Sequence, residues 1–175
     1  MKKIHIYIII VISVILIYEF LHGLYRQYQR NYIYKIAKNV SNELKKPLVV
    51  IGDPYNGVGS NIYNLFMDGY ECGDETIDIT GAPLCENGKK IDLLSYLKLQ
   101  PSNSKILFIS CVLEYVDDLD EIIEELYRVS YNNNIFIVTV NEYSLFAYIY
   151  RQQDHYSKNI IYGPPKYDKI YYKKI

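Results

Sequence analysis

The stretch from Lys105 to Val140 limits the fold more than any other part of the chain. It opens with the apolar run Ile106-Leu107-Phe108-Ile109 and closes with a second, Ile135 to Val140. Between them Leu119, Ile122, Ile123, Leu126 and Val129 recur at helical spacing, with charged residues at most other positions. Short apolar runs bounded by turn residues read as buried strands, and a period near 3.6 reads as an amphipathic helix. Strand, helix and strand in that order make a βαβ unit. Such a crossover implies parallel strands with helices packed on the sheet. Ligands of these sheets sit at the carboxyl ends of the strands. Here those ends carry Ser110 to Asp118 and Asn141 to Ser144.

The amino-terminal segment is of a different kind. Ile4 to Leu24 holds fourteen Ile, Val, Leu or Phe residues, spread all round a helix. That helix would be about 30 Å long, enough for one bilayer crossing. Its apolar side chains favour insertion by roughly 4–8 kcal/mol, and His5, Glu19 and His22 lie near the ends, where polar groups reach the interface. A cleaved signal peptide shares the Lys2-Lys3 start and the apolar core, but no small-x-small cleavage site follows at Leu21 to Tyr25. The expectation is an uncleaved single-pass anchor over residues 1–25, in contact with membrane lipid, and one folded domain over residues 26–175.

Orientation follows from charge. Arg26, Arg30, Lys35, Lys38, Lys45 and Lys46 follow the segment, against Lys2 and Lys3 before it. The positive-inside rule then puts the folded domain in the cytoplasm. Cys72, Cys85 and Cys111 form no CxxC pair and are expected as reduced thiols, which fits that compartment. Cys72 and Cys85 flank the second strand and can approach one another. Asn39-Val40-Ser41 points the other way, being a glycosylation acceptor if the domain is luminal. The net charge of -1 gives no argument for a nucleic-acid partner, and the three scattered histidines give none for a metal site.

Between these two stretches the chain alternates. Ile33, Ile36, Ala37, Val40 and Leu44 share one face of a helix over Tyr25 to Lys46, which Pro47 stops. Leu48 to Ile51 is a short strand that runs into Gly52-Asp53-Pro54-Tyr55-Asn56-Gly57-Val58-Gly59-Ser60. A helix over Asn61 to Met67 follows, ended by Gly69. A glycine loop between strand and helix lets a ligand approach the backbone, though in isolation it is also a plain turn. Thr76 to Ile79 is the next strand, and Asp78 in it lies 19 residues after Gly59. That is where a ribose-binding carboxylate stands in nucleotide folds, and equally where a surface Asp caps a turn. Ile91 to Leu94 reads as a third strand or a helix start. Asn141 to Arg151 reads as a helix, Asp154 to Gly163 as irregular, and Tyr167 to Ile175 as a final strand.

In Ser110-Cys111-Val112-Leu113-Glu114-Tyr115-Val116-Asp117-Asp118, then Glu125-Leu126-Tyr127-Arg128-Val129, then Ile135 to Val140, the chain resembles the class I S-adenosylmethionine-dependent methyltransferases. The likeness covers roughly Leu48 to Val140. It implies an α/β fold with a Rossmann-like parallel sheet flanked by helices, here behind a transmembrane helix. It also implies S-adenosylmethionine as cofactor. Gly52, Asp53, Gly57 and Gly59 would line the methionine moiety, Asp78 the ribose and Asp92 the adenine, with Cys111 to Glu114 beside the transferred methyl and Ser110 among the cofactor-binding residues. Glu114, Tyr115 and Asp117 are by location the candidates for catalytic work on an acceptor. Several positions depart from the family pattern. Val50 stands where an acidic residue is usual, Gly52-Asp53-Pro54 replaces the compact glycine turn, and Tyr131-Asn132-Asn133-Asn134 replaces Lys-Pro-Gly-Gly. Three functions therefore stand open. One is an anchored methyltransferase with a membrane-associated acceptor. Another is a non-catalytic membrane scaffold or interaction protein on a degenerate form of that fold. The most distant is another nucleotide binder, for which no GxGxxG is present.

Overall fold

The computed structural model describes residues 2–56, 62–138 and 171–172. Helix α1 (Lys2–Leu44) is a single continuous rod, about 65 Å long by its residue count. Strands β1 (Leu48–Ile51), β2 (Glu75–Asp78) and β3 (Gly88–Lys90) follow. Then come helix α2 (Leu93–Lys98), strand β4 (Lys105–Ser110), helix α3 (Leu119–Val129), strand β5 (Ser130–Val138) and the two-residue strand β6 (Tyr171–Tyr172). The sheet order is β3-β2-β1-β4-β5-β6. The first five strands are parallel, as the βαβ reading expected, and β6 pairs antiparallel to β5.

Alternation along the strands explains why helices cover both faces. Val49, Ile51, Ile77, Leu107, Ile109, Ile135 and Ile137 meet Leu93, Tyr96 and Leu97 of α2 and Ile122, Leu126 and Val129 of α3. The intervening residues Leu48, Val50, Ile106, Phe108, Phe136 and Val138 meet Ile33, Tyr34 and Ala37 of α1, together with Tyr70. Strands β1 and β4 and the second half of β5 thus bury both side-chain rows, which is why they read as unbroken apolar runs.

Helix α1 runs antiparallel to the strands. The Ser41 hydroxyl, near its end, donates to the carbonyl of Lys46 just before β1. Arg30, three turns earlier, reaches Cys111 just after β4. Earlier still, every residue from Ile4 to Tyr18 is exposed, and the helix from Ile4 onward is long and apolar enough to cross a membrane, its most apolar stretch having a mean hydropathy of 2.5. Burial resumes at Glu19. The boundary expected at residue 25 therefore falls inside an unbroken helix.

Several expectations shift. Strand β2 ends at Asp78, since the Asp78 carbonyl accepts the N–H groups of Gly81 and Ile91, and Ile79 is turned out to solvent. The third strand is Gly88–Lys90, and of the two readings of Ile91 to Leu94 the helix start holds, because Asp92 caps α2 by accepting from the Ser95 N–H at 3.0 Å. Strand β5 starts five residues earlier than expected. Asn132 and Asn133 both take positive φ, at 48° and 56°, and absorb a register shift between Lys105 and Leu107. Asparagine tolerates that geometry, so the turn survives without glycine. The one-turn segment Ile62 to Met67 is all that is described of the expected helix at Asn61 to Met67. The helix expected at Asn141 to Arg151 and the irregular Asp154 to Gly163 lie outside the described residues, as does all of the final strand except Tyr171–Tyr172.

The cysteines also differ from expectation. Cys72 and Cys85 form a disulfide, with Cα atoms 5.7 Å apart, in place of two reduced thiols. The reason is topological. After β2 the chain turns through Ala82 to Gly88, and Gly88 pairs with Thr76, which brings Cys85 back beside the segment entering β2. Among the described residues Cys111 is the free cysteine.

Candidate functional site

The parallel register brings most of the sequence-predicted residues to one edge. Ile51 pairs with both Ile77 and Ile109, so Gly52-Asp53, Asp78 and Ser110-Cys111 leave the sheet side by side. Asp92 stands next to them, since its neighbour Ile91 donates to the Asp78 carbonyl at 3.1 Å. Gly57 and Gly59 lie outside the described residues, as does the side chain of Glu114. Tyr115 ends a short 3-10 turn, Leu113–Tyr115, and it and Asp117 are exposed beyond the tip of β4.

Local chemistry holds this edge together. Gly52 has φ +103° and donates its N–H to the Ile77 carbonyl at 2.9 Å. A Cβ there would lie 2.8 Å from the Ser110 carbonyl oxygen and 3.1 Å from Val112 Cγ2. The glycine is thus required by the close approach of two strand ends. The Asp78 carboxylate ties the loops: Oδ2 accepts from the Asp53 N–H at 3.1 Å, and Oδ1 accepts from the Thr80 N–H at 2.7 Å and the Thr80 hydroxyl at 2.6 Å. A carboxylate offers about four acceptor directions, so among the described residues about one is left unfilled, on Oδ2. Asp53 Oδ1 accepts from the Tyr55 N–H at 2.9 Å, folding the loop back over itself. The exposed Asp92 is spent as a helix cap, and its hydrogen bonds with Ser95 hold its pKa below the usual value.

Two residues that sequence reasoning missed complete the edge. Arg30 of α1 donates through Nη2 to Cys111 Sγ at 3.0 Å. Tyr70 is buried against Tyr34 and Phe108, and its hydroxyl donates to the Asp53 carbonyl at 3.3 Å. Burial pushes the Tyr70 phenol up to about 12, with Arg30 and a hydrogen bond from Ser110 pulling the other way. It is therefore a fixed neutral donor near neutral pH. Cys111 takes φ +54°, and its N–H is held by the Val138 carbonyl at 2.8 Å. A left-handed conformation costs a non-glycine residue about 1–2 kcal/mol. Such outliers concentrate where a structure over-determines a functional residue.

The edge therefore has an acidic, acceptor-bearing side at Asp53 and Asp78. Its other side carries the guanidinium of Arg30 and the thiol of Cys111. This arrangement suits a polar small molecule that has hydroxyls at one end and a carboxylate or other anion at the other. Among the described residues no three His, Cys, Asp or Glu side chains gather to hold a metal ion. The fold defines the class as far as an α/β protein with a five-strand parallel sheet, flanking helices and one long apolar amino-terminal helix. Beyond the class, the chain matches no protein-family model, no curated protein and no solved structure.

Proposed function

We propose that the chain is a membrane-anchored, methyltransferase-like protein whose Rossmann-like domain takes S-adenosylmethionine at the strand tips and serves a membrane-associated acceptor. The observation that carries this reading is where the edge residues meet. The strand order reverses between β1 and β4, and Gly52-Asp53, Asp78 and Ser110-Cys111 flank that reversal. Crevices at such reversals are the usual nucleotide sites of parallel α/β sheets. The group fits in part. The remaining Oδ2 acceptor of Asp78 suits one ribose hydroxyl, and Arg30 suits a carboxylate. Bound there, the sulfonium would supply an already activated methyl group, so the chain's task is to orient and to exclude water. The antiparallel run of α1 supports a membrane acceptor. Arg30, level with the edge, is six residues beyond Leu24, about 9 Å along the helix.

A second reading, a non-catalytic scaffold on a degenerate form of the same fold, is favoured by one observation. Gly52 and Asp78 already have structural employment, in strand packing and in loop tying. Calorimetric titration of the full-length chain in nanodiscs with S-adenosylmethionine separates the two. The methyltransferase reading expects saturable heat and a raised melting temperature, both weakened by Asp78→Asn. No heat at millimolar cofactor leaves the scaffold.

Orientation belongs to this proposal as well. The basic residues after the apolar stretch support a cytoplasmic domain. The Cys72–Cys85 disulfide supports the opposite side, because cytosolic thiol pools keep such pairs reduced. Protease treatment of sealed vesicles, with thiols counted before and after reduction, decides. A digested domain with three thiols fits the cytoplasm. A protected domain with one thiol fits an oxidising lumen.

A further inference from the structure

The segment Ile62 to Met67 carries an apolar surface of its own. Ile62 is 46% exposed, Leu65 81% and Phe66 62%. The segment is fixed against α1 at a defined height. Phe66 packs edge-on to Phe20 with ring centroids 5.1 Å apart, and Tyr63 lies 6.1 Å from the same ring. Asn64 accepts from the Gln27 amide, and Gln27 is itself buried. The segment therefore stands beside residues 20–27, directly after the helix residues Ile4 to Tyr18, which are all exposed and mostly apolar. No Asp, Glu, Lys or Arg occurs between Asp53 and Asp68.

These observations fit together when lengths are compared. The fully exposed apolar stretch, Ile4 to Tyr18, rises about 22 Å as a helix, whereas a hydrocarbon core is about 30 Å thick. A crossing therefore takes in residues as far as about Leu24. That is the level at which Tyr63, Leu65 and Phe66 stand. We propose that Ile62 to Met67 is a second membrane contact, with Leu65, Phe66 and Ile62 lying in the lipid interface beside the anchor. Tyr25, exposed on α1 at the same level, suits the headgroup region, where tyrosine is enriched. The loop follows β1, so a lipid-seated loop sets the Gly52-Asp53 edge at a fixed height above the bilayer.

This inference rests on α1 being a membrane anchor, and its test separates the two. The chain contains no tryptophan, so one introduced residue reports alone. Leu65→Trp and Leu99→Trp are made in the full-length chain and reconstituted into phosphatidylcholine vesicles containing acyl-chain-brominated lipid. Leu99 is 74% exposed at the opposite edge of the sheet, just past α2. Flotation with the vesicles reports the anchor. Fluorescence reports the loop: the tryptophan at 65 is expected to be blue-shifted and quenched severalfold by brominated lipid, and that at 99 to be neither. Two results overturn the inference while leaving the anchor intact: floating protein whose tryptophan at 65 is unquenched and water-like, or one blue-shifted but unquenched, as when a second copy covers the loop. Failure to float overturns both readings.

Discussion

At the scale of single residues, position was legible in the sequence and employment was not. The sequence places Gly52, Asp78 and Cys111 at strand tips, and they stand there. Gly52, however, makes room for the Ser110 carbonyl, and Asp78 binds two loops, contacts that no spacing rule contains. Arg30 escaped notice because 81 residues separate it from Cys111, and Tyr70 because it is one tyrosine among 21. Gly52→Ala is expected to cost about 1–3 kcal/mol in urea denaturation, through positive φ and the approach to Ser110. Glu75 offers a pH test. Burial pushes its pKa up, but hydrogen bonds and charge from Lys105 and Lys89 outweigh burial and hold it at about 2. With the folded value below the ordinary 4.5, its ion pairs stabilise fully above pH 4.5 and fade as pH falls towards 2. Glu75→Gln should therefore lower stability at pH 7 by about 1–2 kcal/mol, discounted for partial exposure. The difference from wild type should vanish only below pH 2.

At the scale of elements, the strongly periodic stretches were legible and the short ones were not. Helix α3 and strands β1 and β4 stand where the pattern put them, because each buries a regular apolar row. Strand β3, with Gly88, Lys89 and Lys90 all exposed, has no such row, and only its pairing with β2 makes it a strand. The Arg-Val pair at the end of α3, read as a family motif, has a packing role. Arg128 donates to the carbonyls of Leu97 at 2.8 Å and Gln100 at 2.9 Å, and pairs with Glu125 at 2.6 Å. It thereby closes the end of α2 with a charged donor. Arg128→Ala is expected to cost about 1.5–3 kcal/mol, and Arg128→Lys to recover only part, since a single ammonium cannot span both carbonyls. Thermal unfolding with hydrogen exchange at Leu99 and Gln100 checks both.

At the scale of the molecule, the sequence divides the chain at residue 25, and one continuous helix, Lys2–Leu44, runs across that point. Ile33, Tyr34 and Ala37 of α1 form the cover of one sheet face, while Ile4 to Tyr18 are exposed. Deleting residues 1–18 should leave cooperative unfolding intact. Deleting residues 1–40 should abolish it, because Phe108 and Phe136 would lose their cover. Circular dichroism melts of the two truncations check this. The join was hidden because an all-round apolar pattern and a one-sided pattern look like two segments, although no proline and only the single Gly23 lies between them.

The unbroken rod from Lys2 to Leu44 has a mechanical consequence. A domain hung from a flexible linker searches a hemisphere, whereas one built around a stiff mast can only translate and spin with it. Under the proposed membrane anchoring, encounters would be confined to molecules travelling in the same plane at one altitude, so any change in bilayer thickness or mast tilt would alter which of them are reached.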